Sequence, residues 1–170
     1  MSDLKKVTVA VKNFEFHSSQ NCANLYKKVR LEDGSGKVFY YKDLIVPKYL
    51  ESKGAFARDT QRTWFVKSIN KSAVVLVAFE TKAGKVEYDL DEIRELSRSG
   101  LWAGILCGIA AVPVGVIVAI ATYGVGLVLI PLGFYQAYKQ IFKIPAILSR
   151  KKLLQDFSQH GISVSEGWSR

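Results

Sequence analysis

Two hydrophobic periods divide this chain. Up to about residue 90, apolar and polar side chains alternate in short runs, the period-two pattern of strands half-buried against a core. Val7, Val9 and Val11 alternate with Thr8, Ala10 and Lys12. Phe14 and Phe16 continue out of phase, which predicts a bulge or bend. After a polar stretch over 18–24, residues 25–31 predict a second strand, and Asp33-Gly34-Ser35-Gly36 a hairpin turn into a third strand over 37–46. Pro47 opens a short helix and a loop that reaches Thr60, because proline suits a first helical turn. Residues 63–69 and 73–81 predict a further pair of strands around Asn70-Lys71-Ser72, and Lys82-Ala83-Gly84-Lys85 a turn into a last short strand over 86–90.

Three strands, a short helix, then two or three strands is the order of an all-β small barrel of OB-like type, with five to six strands and one short helix, over residues 1–90. Other small barrels and rolls fit this order nearly as well. A domain of this size buries one modest core, for which Val7, Val9, Leu31, Phe39, Trp64, Val66, Val75, Val77 and Phe79 are the candidates.

The second period is helical. Residues 99–138 contain no Asp, Glu, Lys or Arg. Such a run makes about 60 Å of helix, two crossings of a hydrocarbon core of about 30 Å less a turn. Ala121-Thr122-Tyr123-Gly124-Val125-Gly126 supplies the turn, so residues 101–142 predict a two-helix transmembrane hairpin, with helices over 101–121 and 125–142. Pro113 and Pro131 fall near the middle of each helix, where kinks are tolerated in lipid. A re-entrant wedge and a buried soluble hairpin are the alternatives. Residues 91–100 predict a charged juxtamembrane helix without a Gly/Ser linker. Residues 143–170 predict a basic amphipathic helix over 144–157 and a polar, loose tail. That helix either lies on the inner leaflet or packs on the barrel.

Charge locates the apolar block. The chain carries 24 Lys and Arg against 15 Asp and Glu, a net +9, and the excess lies on both sides of the block. That distribution suits an anionic cytoplasmic leaflet first and nucleic acid second, with general solubility charge as the plain alternative, above all for the N-terminal part. Arg94 and Arg98 precede the block, and Lys139, Lys143, Arg150, Lys151 and Lys152 follow it. Under the positive-inside rule both termini are then cytoplasmic, in an integral protein of a bacterial inner membrane. Trp102, Tyr135, Tyr138 and Phe142 sit where an interfacial aromatic belt is expected. The first residues have no apolar signal region, and Cys22 and Cys107 lie in different environments, so neither secretion nor a disulfide is expected.

Gly104, Gly108, Ala111, Gly115, Ala119, Thr122 and Gly126 recur at steps of three and four, a smooth stripe on one helix face that permits close backbone approach. It serves the partner helix of the hairpin or association with a second protein or copy. No ionisable group lies within the block, which argues against transport, although a pore of oligomerised hairpins stays open.

Catalytic signatures are missing: there is no G-x-S-x-G, H-E-x-x-H or Walker loop, and no C-x-x-C. His17 and His160 are far apart in sequence, so neither a metal nor a cofactor is expected. Gly34-Ser35-Gly36 lacks the Lys-Ser/Thr of a phosphate loop, and Asp89, Asp91 and Glu92 read as a helix start rather than a cation site. Binding is the better expectation. Lys28, Arg30, Lys37 and Lys42 interleave with Tyr40 and Tyr41 on the second and third strands, where OB barrels carry their ligand face. Period two sends half of these rings inward, and solubility accounts for lysines, so nucleic acid is not the favoured partner. The expected function is non-catalytic: a cytosolic β-domain, held at the anionic leaflet, that docks or regulates a protein partner. A membrane effector or pore whose β-domain senses a ligand, and a tethered nucleic-acid or nucleotide binder, are the alternatives.

Overall fold

The computed structural model describes residues 3–70, 72–123 and 125–162. Lys71 of the expected Asn-Lys-Ser turn, Gly124 of the expected tip and the tail over 163–170 lie outside the described residues, and at Lys143 and the stripe position Gly126 only the backbone is described. The chain forms two compact units, Met1–Arg94 with Arg150–Arg170, and Glu95–Ser149.

The first unit is built on six strands: β1 (Lys5–Ser19), β2 (Ala23–Asp33), β3 (Val38–Pro47), β4 (Gln61–Ser68), β5 (Ala73–Glu80) and β6 (Val86–Tyr88). The short helix α1 (Lys48–Ser52) joins β3 to β4, with Pro47 at its N-cap. β1 pairs antiparallel with both β2 and β4, β2 with β3, and β4 with β5. A parallel pairing of β3 with β5, at Asp43–Ala73, Leu44–Val74 and Ile45–Val75, closes a five-stranded barrel. β6 adds to the far edge of β5. Past Val11, β1 shifts register against β2 three times, which accommodates the phase slip at Phe14 and Phe16.

Inside the barrel, Val9, Val11, Tyr26, Val29, Leu31, Leu44, Val46, Trp64, Val66, Leu76 and Phe79 form one apolar cluster, with Val7 and Phe39 at its margin. Leu50 of α1 and Phe56 close one part of it, and the Trp64 indole donates to the Ala55 carbonyl at 3.0 Å. β5 is buried on both faces. Val75 lies opposite Lys67 and shares its face, so Val75 is buried outside the central cluster rather than within it.

The covering element on that side is α5 (Arg150–Gln159), which buries Leu153, Asp156 and Phe157. Phe157 meets the Tyr88 ring at 5.5 Å, His160 meets Phe65 at 6.2 Å, and Asp156 pairs with Lys67. An amphipathic stripe served by this face of the first unit accounts for the apolar residues that the sequence also offers to a leaflet.

The long helix α2 (Leu90–Ala121) begins on Asp89, whose carboxylate accepts from the backbone N–H of Asp91 at 2.8 Å and Glu92 at 3.0 Å. The expected juxtamembrane helix and first apolar helix are therefore one unbroken element, and Pro113 lies inside it. α2 is long and apolar enough to cross a membrane, and only 11% of its most apolar stretch is buried.

After a tip at Thr122 and Tyr123, a 3-10 turn (Val125–Val128) leads into α3 (Leu129–Tyr138). Pro131 thus falls in the first turn of α3, where its missing N–H costs nothing, and not at mid-helix. Helical backbone continues past residue 142 through a π turn (Lys139–Lys143) into α4 (Ile144–Ile147). Pro145 explains the π turn: it cannot donate to the Ile141 carbonyl, and its ring crowds that group. The expected helix over 144–157 is accordingly two, parted at Leu148 and Ser149.

Candidate functional site

Pairing of β2 with β3 assembles the basic outer face. Arg30 lies directly opposite Tyr40, and Val29 opposite Tyr41. Strand alternation then sets Lys28 and Arg30 of β2 beside Tyr40 and Lys42 of β3 on one face, and all four are exposed, Tyr40 at 69%. Tyr41 takes the opposite face and packs against the core, where burial raises its phenol pKa. Lys37 stands at the end of the β2–β3 turn with its ammonium 5.4 Å from the Phe39 ring centre. Of the six residues read as a ligand face, four share a surface, one is turned inward and one belongs to the turn.

Lys28 has a positive φ of 51° and pairs with Glu15 at 2.9 Å, so part of its charge is met within the domain. Arg30 and Lys42 stand without an ion pair among the described residues.

The Gly34-Ser35-Gly36 turn binds its own chain. The Asp33 carboxylate accepts from Ser35 N–H at 2.8 Å, Ser35 O–H at 2.6 Å and Lys37 N–H at 3.0 Å. The Ser35 hydroxyl, followed by these backbone donors, holds the Asp33 pKa below the ordinary range. Among the described residues no group of three His, Cys, Asp or Glu side chains is placed to hold a metal ion.

Two polar clusters had no signal in the sequence, because their partners are remote. Glu51 of α1 accepts from Asn24 at 2.7 Å and from the Tyr26 hydroxyl at 2.6 Å. Burial first, and the Glu51 carboxylate second, push the Tyr26 phenol up to about 12. Beside it the Tyr49 hydroxyl donates to Glu87 at 3.1 Å, and the Tyr49 N–H to Glu92 at 2.9 Å. Lys85 pairs with Glu87 at 2.8 Å and holds that carboxyl below its usual range. These contacts fasten α1 to β2, β6 and the start of α2; they are structural.

In the second unit, Gly104, Ala111 and Gly115 are buried, while Gly108 and Ala119 are half-buried. A β-carbon on Gly108 would stand 3.3 Å from that of Ala137, and one on Gly133 only 2.4 Å from that of Ala111. Further along, Gly100 faces Ile144 at 3.8 Å. Trp102, Tyr135, Tyr138 and Phe142 are exposed. Lys139 lies 5.3 Å over the Tyr135 ring. Arg94, Arg98, Arg150 and Lys151 are exposed, and Lys152 is half-buried.

Comparison of the chain with protein-family models, with curated proteins and with solved structures finds no match.

Proposed function

We propose that this chain is a non-catalytic, membrane-anchored docking module: an OB-type barrel at the cytoplasmic face of a bacterial inner membrane, carried by a transmembrane helical hairpin with both termini inside. One observation carries the anchoring. α2 runs from its Asp89 cap to Ala121 without a break, and its apolar part is left almost wholly exposed. Water penalises such a surface by about 25 cal/mol for each Å², whereas hydrocarbon accepts it. Helical backbone over 129–147 supplies a second segment of about 28 Å at 1.5 Å per residue, long enough to return across the bilayer.

The approaches Gly100–Ile144, Gly108–Ala137 and Ala111–Gly133 run in opposite directions along the two segments, which supports a hairpin. They also occupy part of the small-residue face within the chain, which favours hairpin packing over a pore of separate copies. Exposed Trp102, Tyr135, Tyr138 and Phe142 suit the headgroup level, and Arg94, Arg98, Arg150 and Lys151 suit anionic lipid. An OB-type barrel is supported by the strand order, by the parallel β3–β5 closure and by α1 between β3 and β4.

Docking of a protein partner is tested by purifying the chain from its native membranes in mild detergent. A stoichiometric companion is expected; a monodisperse monomer recovered alone overturns the docking reading. A second reading, single-stranded nucleic acid on the β2–β3 face, is favoured by exposed Tyr40 opposite Arg30, a ring and a cation set as a base and a phosphate require. Inward rotation of Tyr41 leaves it one stacking ring where the sequence offers two.

A further inference from the structure

β3 is paired along one edge for its whole length and along the other only at Asp43, Leu44 and Ile45. Over 38–42 no strand among the described residues continues that second ladder. Asp43 donates its N–H outward, to the Ser72 carbonyl at 3.1 Å. Alternation slips just before it: Phe39 and Tyr41 face the core ahead of Lys42, Leu44 and Val46 after it, and the β2–β3 ladder skips the Lys28–Lys42 position, where Lys28 has a positive φ. Along 38–42, Phe39 and Tyr41 pack on the core, Tyr40 and Lys42 are exposed, and alternate backbone groups are aimed at the open edge.

Other edges of this unit are blunted. β1 beyond Ala10 shifts register three times, and β6 is three residues long. The stretch 38–42 has no shift, glycine or proline, and its residues, Val-Phe-Tyr-Tyr-Lys, favour strand pairing. Charge selects the occupant. Lys42 stands on the edge, with Arg30 and Lys28 one strand away on the same face. Two copies joined through this edge would gather both sets of cations on one surface, whereas an acidic segment would be matched by them.

We infer that the free edge of β3 takes up an extended acidic peptide segment as an added strand. The inference rests on the docking reading and names the chemistry of the partner. Main-chain hydrogen bonds to alternate residues of 38–42 supply the ladder, Lys42 and Arg30 the charge preference, and the Tyr40 ring a cross-strand contact.

The test uses the full chain in detergent micelles and a fluorescein-labelled peptide of alternating Glu and Val, about eight residues long. Saturable binding is expected, falling about tenfold in Arg30→Glu/Lys42→Glu with an unchanged melting temperature. N-methylation of alternate peptide residues gives two probes; one phase must lose binding and the other keep it, because only one set of amides faces β3. Absence of saturable binding, equal losses in both phases, or a β3-dependent dimer that the peptide does not compete overturns the inference. So does an oligo-dT that displaces the peptide and loses its own binding in Tyr40→Ala. Should a companion co-purify equally with the double variant while the peptide fails, the edge proposal falls and docking stands. Should the peptide bind while the native chain is recovered alone, docking falls and the edge proposal stands.

Discussion

Lys67 on β4 and Asp156 on α5, 89 residues apart in the chain, form a buried ion pair. Lys67 is fully buried, with Val75 opposite it on the same face, so Asp156 is the counter-charge that makes its position tolerable. Asp156→Ala therefore leaves an uncompensated ammonium and should cost about 3–5 kcal/mol in chemical denaturation of the solubilised chain. Lys67→Met/Asp156→Leu removes the desolvation penalty with the pair and should come out neutral or stabilised. A single variant that loses under about 1 kcal/mol would mean that α5 contributes little to this unit.

Alkaline pH should expose the Tyr26–Glu51 contact. The folded phenol titrates at about 12, above its ordinary 10.0. A raised pKa means that the contribution is complete below pH 10 and is lost as pH rises from 10 to 12, since the unfolded chain ionises first. Stability measured across that range should fall more steeply in the unchanged chain than in Tyr26→Phe. Glu51→Gln should lower the tyrosinate midpoint yet leave it above 10.0, because burial is the larger cause. Identical profiles for the unchanged chain and Tyr26→Phe would refute the assignment.

Three glycines should answer one substitution with different signs. Alanine in a helix gains about 0.4–1 kcal/mol over glycine when nothing obstructs it. Gly100 has its nearest neighbour at 3.8 Å, so Gly100→Ala should stabilise the second unit. Gly133→Ala would drive a methyl to 2.4 Å from the Ala111 β-carbon, and should destabilise it. Gly108→Ala, at 3.3 Å, should fall between them. Thermal melts in one detergent rank the three, and a stabilising Gly133→Ala would contradict the close approach.

Topology is read by a membrane-impermeant maleimide in a chain with Cys22 and Cys107 replaced by Ala. Tyr123→Cys, at the tip between the apolar segments, should label on intact cells. Ser35→Cys, in the β2–β3 turn, should label only after permeabilisation. Labelling of Ser35→Cys from outside rejects the cytoplasmic placement, and protection of Tyr123→Cys rejects a crossing hairpin.

Local chemistry made much of the barrel legible. Val7, Val9 and Val11 announce a strand with one buried face, Asp33-Gly34-Ser35-Gly36 a tight turn, and Pro47 the start of α1. Each is decided by residues within a few positions of one another. Lys67 illustrates what local pattern misses: in a strand it reads as a solvent-facing cation, and only Asp156, from the other end of the chain, makes it interior. Val75 reads as core and is buried, but on the Lys67 face, outside the central cluster. At the ligand face, alternation already implied that Tyr40 and Tyr41 part company, while the sequence held no sign of which strand edge stays open. That depends on where β5 stops pairing with β3.

The first unit is discontinuous: Met1–Arg94 is completed by Arg150–Arg170, after the whole second unit has intervened. Translation therefore delivers its last structural piece late. Until α5 leaves the ribosome, a nascent barrel holds Lys67 without its carboxylate. Closing so long a loop is entropically costly only as the logarithm of its length. The barrel is thus completed by the last stretch of the chain to be made, after the apolar segments have already emerged.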